Sequence, residues 1–132
     1  MKFIDNKEKL YKYTIYIILA IGILIRILGI SDMPNALNCD EASAGYEAFS
    51  LFNYGIDRNG NHNPSFLVAW GSGQNALLTY LIIPLIKIFG LKTIAIRLPM
   101  AILGCISLVI LYLLLRKISN KKLSIIGLAF FA

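Results

Sequence analysis

Charge is what this sequence has least of. Only 15% of its residues are Asp, Glu, Lys or Arg, where a soluble domain carries about a quarter. With 58% hydrophobic residues and a mean hydropathy of +0.70, the shortage excludes an ordinary soluble globule. Cysteine is scarce too. Cys39 lies in a polar stretch and Cys105 in an apolar run. That excludes a disulfide framework and leaves two thiols behaving as small apolar residues. His62 is the sole histidine, so no Cys/His zinc spacing exists, and a lone loop histidine reads as solvated. The sequence has no P-loop and no Gly-rich dinucleotide fingerprint, so a nucleotide-bound donor has no visible site. Asn63-Pro64-Ser65 is not a glycosylation acceptor, because proline holds the middle position.

What is present is apolar residues in blocks, the membrane pattern. The net charge of +6 sits almost entirely at the ends of those blocks. Basic residues so placed anchor to lipid headgroups, and no basic stripe with interleaved aromatics suggests nucleic acid. A head with Lys2, Lys7, Lys9 and Lys12 precedes a first run, residues 13–30, broken only by Arg26. The run is long enough to cross the hydrocarbon core and lacks a signal-peptide cleavage site, so it reads as an uncleaved anchor. Arg26 is expected to snorkel to the headgroups. Residues 76–90 form a second, short run containing Pro84, and 94–115 a third. A fourth begins at 123 and stops at 132, which reads as the front of a longer chain.

Residues 31–75 are the polar segment. They hold five of the seven acids and one basic residue, Arg58. A lysine-rich head and a lysine-poor loop place the N-terminus in the cytoplasm and this loop outside. Strict alternation then sends Arg116, Lys117, Lys121 and Lys122 outside, against the same rule, unless residues 76–90 do not fully cross. Asn38 followed by Glu41 spells a capping box. Ala42, Tyr46, Phe49 and Phe52 share a face at helical spacing, so a short amphipathic helix on the membrane surface is expected. The expected fold is therefore all-α and integral to the membrane, its outer loop bearing an interfacial helix.

Asp40 and Glu41 start that helix, where the dipole and free N–H groups favour an ionised carboxylate. Such a carboxylate can take a proton from a hydroxyl or bind a divalent cation. It can equally do nothing but complement the dipole. Adjacent helical residues point apart, so one of the two at most addresses a substrate, and Asp40 is the choice. Tyr46 and Trp70 suit sugar stacking and suit an interfacial aromatic belt equally well.

The order of these features carries more than any one of them. After the first run come Pro34, then Asp40-Glu41-Ala42, Tyr54-Gly55 with Asp57 and Gly60, and Pro64. Trp70, Tyr80, Pro84, Phe89-Gly90, Arg97-Leu98-Pro99, Gly104, Tyr112 and Arg116-Lys117 follow. The chain so read resembles the N-terminal part of the polytopic glycosyltransferases that use lipid-linked sugars, the GT-C fold, among them the protein mannosyltransferases and bacterial aminoarabinose transferases. The resemblance implies transfer of a sugar from a polyprenyl-phosphate carrier to a glycan, lipid or protein acceptor outside a plasma membrane crossed several times. It implies an essential acid in the first outer loop, acting as base or in a metal site. That role maps onto Asp40, with Glu41 beside it; a divalent metal on Asp40 is the one cofactor admitted. Arg58 and Arg97 would meet carrier phosphate, and Tyr46 and Trp70 the sugar. Gly71-Ser72-Gly73-Gln74-Asn75 replaces the His-Pro-Pro-x-Gly-Lys-like stretch of the mannosyltransferases, which leaves sugar and acceptor open. The alternative is a small non-catalytic membrane protein that binds lipid or a partner.

Overall fold

The computed structural model describes the backbone from Lys2 to Ala132 and the side chains from Asn6 onward. Five helices and one hairpin follow in order: α1 (Lys2–Ile27), α2 (Cys39–Tyr54), β1 (Phe66–Ala69), β2 (Ser72–Asn75), α3 (Leu77–Phe89), α4 (Thr93–Ile118) and α5 (Lys121–Phe131). The chain divides into two units. One comprises residues 1–29 and 101–132, the other 30–100, and α4 contributes to both.

In the first unit, apolar side chains do most of the contacting. Ile15, Leu108 and Leu128 are buried, with Ile18, Leu19 and Tyr112 partly covered around them. Leu115 approaches Gly127 so closely that a Cβ there would lie 2.7 Å from Leu115 Cδ1. Two polar contacts fix the directions of the helices. Lys121 pairs with Glu8, and Arg116 lies over the Tyr11 ring at 5.8 Å. The C-terminal end of α4 and the start of α5 therefore meet the N-terminal end of α1. Arg26 donates to the carbonyls of Gly22 (3.0 Å), Phe131 (2.8 Å) and Ala132 (2.7 Å).

Two helices are long and apolar enough to cross a membrane, Asn6–Ile27 and Thr93–Ile118. Most of their side chains face outward, Leu24, Ile25, Leu113 and Leu114 among them. The run expected as a second crossing is the 13-residue α3. At ~1.5 Å per residue it spans about 20 Å, a third short of a hydrocarbon core.

The second unit is built differently. α2 begins with the expected capping box. Asn38 Oδ1 accepts from the Glu41 N–H at 2.8 Å, and Glu41 Oε2 accepts from the Asn38 N–H at 3.0 Å. It ends at Gly55, left-handed at φ 71°, where glycine carries no Cβ penalty. The face expected to meet the membrane surface is turned outward: Tyr46 and Phe52 are exposed, and Ala42 and Phe49 are half-buried. The inward face is Ala44, Ala48 and Leu51 together with Ser43, Glu47 and Ser50. Small residues win there because α3 and α4 come close. Ala44 and Ala48 pack with Ile82, Ile86, Ala95 and Ile96.

The chain is mostly helical but not wholly so. β1 and β2 pair antiparallel from Phe66↔Asn75 to Ala69↔Ser72. Trp70 and Gly71 form the two-residue turn, both at positive φ (54° and 74°), the geometry that matches strand twist. Leu67 and Ala69 face inward, and Phe66, Val68 and Trp70 outward.

Candidate functional site

The polar chemistry gathers around α2. Asp40 occupies its first turn, exposed and without a side-chain partner among the described residues. Glu41, one residue on, is fully committed. Its Oε1 accepts from Arg97 Nε at 2.9 Å, and its Oε2 from Arg97 Nη2 at 3.1 Å in addition to the capping N–H. The Arg97 guanidinium holds the Glu41 carboxyl below its usual range; burial opposes this, and the Asn38 N–H assists it. The remaining donors of Arg97 reach the carbonyls of Ile30 (3.1 Å), Pro34 (2.9 Å) and Ala36 (2.9 Å). All five guanidinium N–H groups are thus used, and the side chain is 7% exposed. None is left for the carrier phosphate that Arg97 was expected to meet.

Arg58 is placed otherwise. Its Nε pairs with Glu47, which is 0% exposed. Its backbone N–H donates to Glu47 Oε2 at 3.0 Å, and Nη2 donates to Ser43 Oγ. Nη1 has no partner among the described residues, and the guanidinium sits 5.7 Å from the Tyr46 ring. Glu47 is buried with a charge that has one cationic partner, so it orients Arg58 while Nη1 stays available. The sequence reading passed over Glu47 and Ser43. Their spacing of four on a helix, with a lone arginine eleven residues later in an otherwise acidic stretch, was the available signal.

The loop between α2 and β1 is held by Asp57. Its Oδ1 accepts from the Asn59 and Asn61 N–H groups (2.9 and 2.8 Å), and its Oδ2 from Asn61 Nδ2 (3.0 Å). Burial works against ionisation here, yet the three donors prevail and keep the carboxyl below its ordinary range. His62 Nδ1 lies 3.0 Å from the Gly55 carbonyl, a contact in which the ring donates.

Arg58, Tyr46 and Trp70 line one open depression of about 590 Å³, with Cys39, Ala42 and Ser43 as its α2 wall. Three of the four residues expected to bind substrate are therefore brought together, and Arg97 is not among them. Asp40 falls in the same helical turn as Cys39 and Ala42 but is not a lining residue. Among the described residues no group of three His, Cys, Asp or Glu side chains could hold a metal ion. Asp40 would supply a cation with a single protein ligand. Chemically, the arrangement offers an exposed carboxylate and an aromatic ring on α2, a partly used guanidinium from the loop after it, and a second exposed ring from the hairpin turn. No family model matches the chain, and neither a curated protein nor a solved structure shows significant similarity to it.

Proposed function

We propose that this chain is part of a membrane glycosyltransferase that moves a sugar from a polyprenyl-phosphate carrier to an acceptor on the outer face of the plasma membrane. Asp40 is its acceptor-activating base. The observation that carries the reading is the contrast at the start of α2. Glu41 is spent on Arg97 and the helix cap, while Asp40 stands exposed beside a depression holding Arg58, Tyr46 and Trp70. Polyprenyl phosphate is already a good leaving group. The protein has to orient an acceptor, remove its proton and neutralise phosphate charge. Asp40 suits the second task, Arg58 Nη1 the third, and the aromatic rings the first.

The topology proposed with it has two crossings in these residues, α1 and α4, and a cytoplasmic N-terminus. Lys121 against Glu8 and Arg116 over Tyr11 support it, because they bring both basic clusters to one end. Arg116, Lys117, Lys121 and Lys122 then fall on the cytoplasmic side, as the positive-inside tendency asks, while Lys87 and Lys92 fall outside. α2, the hairpin and α3 lie outside, at the surface where a lipid phosphate sits.

Asp40→Asn in the protein as its gene encodes it should lower transfer from a radiolabelled polyprenyl-phosphate sugar by about 10²–10⁴-fold, the range for losing a general base. Transfer at the wild-type rate removes the catalytic assignment. A membrane-impermeant maleimide should label exposed Cys39 from outside intact cells, and half-buried Cys105 on α4 should stay unlabelled. Labelling of Cys39 from the cytosolic side alone overturns the topology. The second reading, a non-catalytic lipid- or partner-binding protein, is favoured by one fact: no carboxylate lines the depression.

A further inference from the structure

A second groove, of about 480 Å³, runs along the first unit and is unrelated to the Asp40 site. Its floor comes from α1 and α4. On α1 the lining residues recur every three or four positions, from Glu8 through Tyr11, Lys12, Ile15 and Tyr16 to Leu19. On α4 they are Val109, Tyr112, Leu113 and Arg116. Both stripes change character along their length. Leu19, Ile15, Val109 and Leu113 make one end wholly apolar. Lys12, Arg116 and Lys121 crowd the other, against the single carboxylate of Glu8. Lys121 and Arg116 both lie over the Tyr11 ring, at 5.5 and 5.8 Å. The buried Tyr11 hydroxyl finds no hydrogen-bond partner among the described residues.

Three cations gathered around one acid repel one another unless an anion joins them. Apolar walls of Ile, Leu and Val gain nothing from a free inorganic anion. They gain from hydrocarbon, and the two ends are joined in one groove. The complementary molecule has an anionic head and an alkyl tail. We propose that this groove holds an anionic phospholipid, its phosphate among Lys12, Arg116 and Lys121 and one acyl chain along Ile15, Leu19 and Val109. The inference needs the membrane part of the reading above but not glycosyl transfer. The groove lies at the basic end of both long helices, where a lipid phosphate of the cytoplasmic leaflet sits.

The test uses the protein as encoded, purified in detergent, with retained lipid read by native mass spectrometry. The probe is an equimolar mixture of palmitoyl-oleoyl phosphatidylglycerol and phosphatidylcholine. Wild type should retain the anionic lipid about tenfold over the zwitterionic one, roughly what one to two basic side chains near a lipid surface contribute. Lys12→Gln with Arg116→Gln should bring the two lipids near parity. Lys117→Gln with Lys122→Gln removes equal charge from exposed residues outside the groove and should leave the preference intact. Val109→Trp fills the apolar end and should lower retention of the anionic lipid while circular dichroism stays unchanged, which separates lost binding from lost folding. Equal retention of both lipids by wild type overturns the proposal. An equal loss from the Lys117/Lys122 variant does the same, since the effect is then general charge. Displacement of the lipid by inorganic phosphate alone also overturns it, because the apolar end would then contribute nothing. Retention is read without a transfer assay, so its outcome is independent of the Asp40 reading.

Discussion

Residues 30–100 and the remainder of the chain solve the same problem with opposite means. The first unit presents its leucines and isoleucines outward, and its interior is a thin seam of Ile15, Leu108 and Leu128. The second buries Glu47, Asp57 and Arg97 at exposures of 0%, 2% and 7% and surrounds them with donors and acceptors. An outward apolar surface costs nothing if hydrocarbon covers it, and association of such helices then depends on close packing and a few polar contacts. A polar segment has to specify its own shape. It does so with hydrogen-bonded ion pairs that are worth little as net stability, yet whose half-removal is severe. Burial in the first unit is thus delegated to surroundings, whereas in the second it is specified residue by residue.

The comparison breaks hardest at Arg97. Arg97→Ala leaves the Glu41 carboxylate and three carbonyls without their donor, and should destabilise residues 30–100 by about 3–5 kcal/mol. Limited proteolysis should cut within 30–38 first, with α1 and α5 intact; resistance equal to wild type would mean the clasp is dispensable. Glu47→Gln removes the partner of Arg58, which is 29% exposed and can recover solvation. The expected cost is therefore smaller, about 2 kcal/mol, seen in thermal unfolding together with a more mobile Arg58.

Acid sharpens the contrast. The Glu41 and Asp57 carboxyls are held below their ordinary values of 4.5 and 3.8. Their contribution is present above those values and is lost as pH falls through the depressed ones. Denaturation of the second unit should ease below about pH 4, and Glu41→Gln should flatten that dependence. Unchanged pH dependence in this variant would show that the pair does not stabilise the fold.

Two smaller effects follow. A Cβ on Gly45 would stand 2.5 Å from Ile96 Cδ1, so Gly45→Ala should cost about 1 kcal/mol or more, recovered in part by Ile96→Val. At the small end, Leu114→Ala on the outward face of α4, 53% exposed, should shift the unfolding of purified protein by less than about 0.5 kcal/mol.

Legibility in the sequence follows the range of each interaction. The capping box at Asn38 and Glu41 spans three residues and was readable. So were the two long apolar helices, from composition alone. The partner of Glu41 lies 56 positions away, and nothing local to Arg97 announces it; the arginine was therefore read as a phosphate ligand. The inward face of α2 was not read, because it is built from alanines and paired polar groups, which carry no apolar stripe. The hairpin escaped notice because its turn places Trp70 in a left-handed conformation. The short apolar run Phe66-Leu67-Val68-Ala69 was the faint sign of it. Arg58, Tyr46 and Trp70 come together only through the fold, and Glu47, which orients Arg58, was not seen.

The reach of Arg97 also has a meaning in time. Glu41 leaves the ribosome 56 residues before the arginine that holds it. At ordinary elongation rates that is roughly 3 to 11 s. Through that interval α2 is capped but unclasped, with the Ile30, Pro34 and Ala36 carbonyls open to water. The clasp on Glu41 therefore closes only once α4 has been delivered.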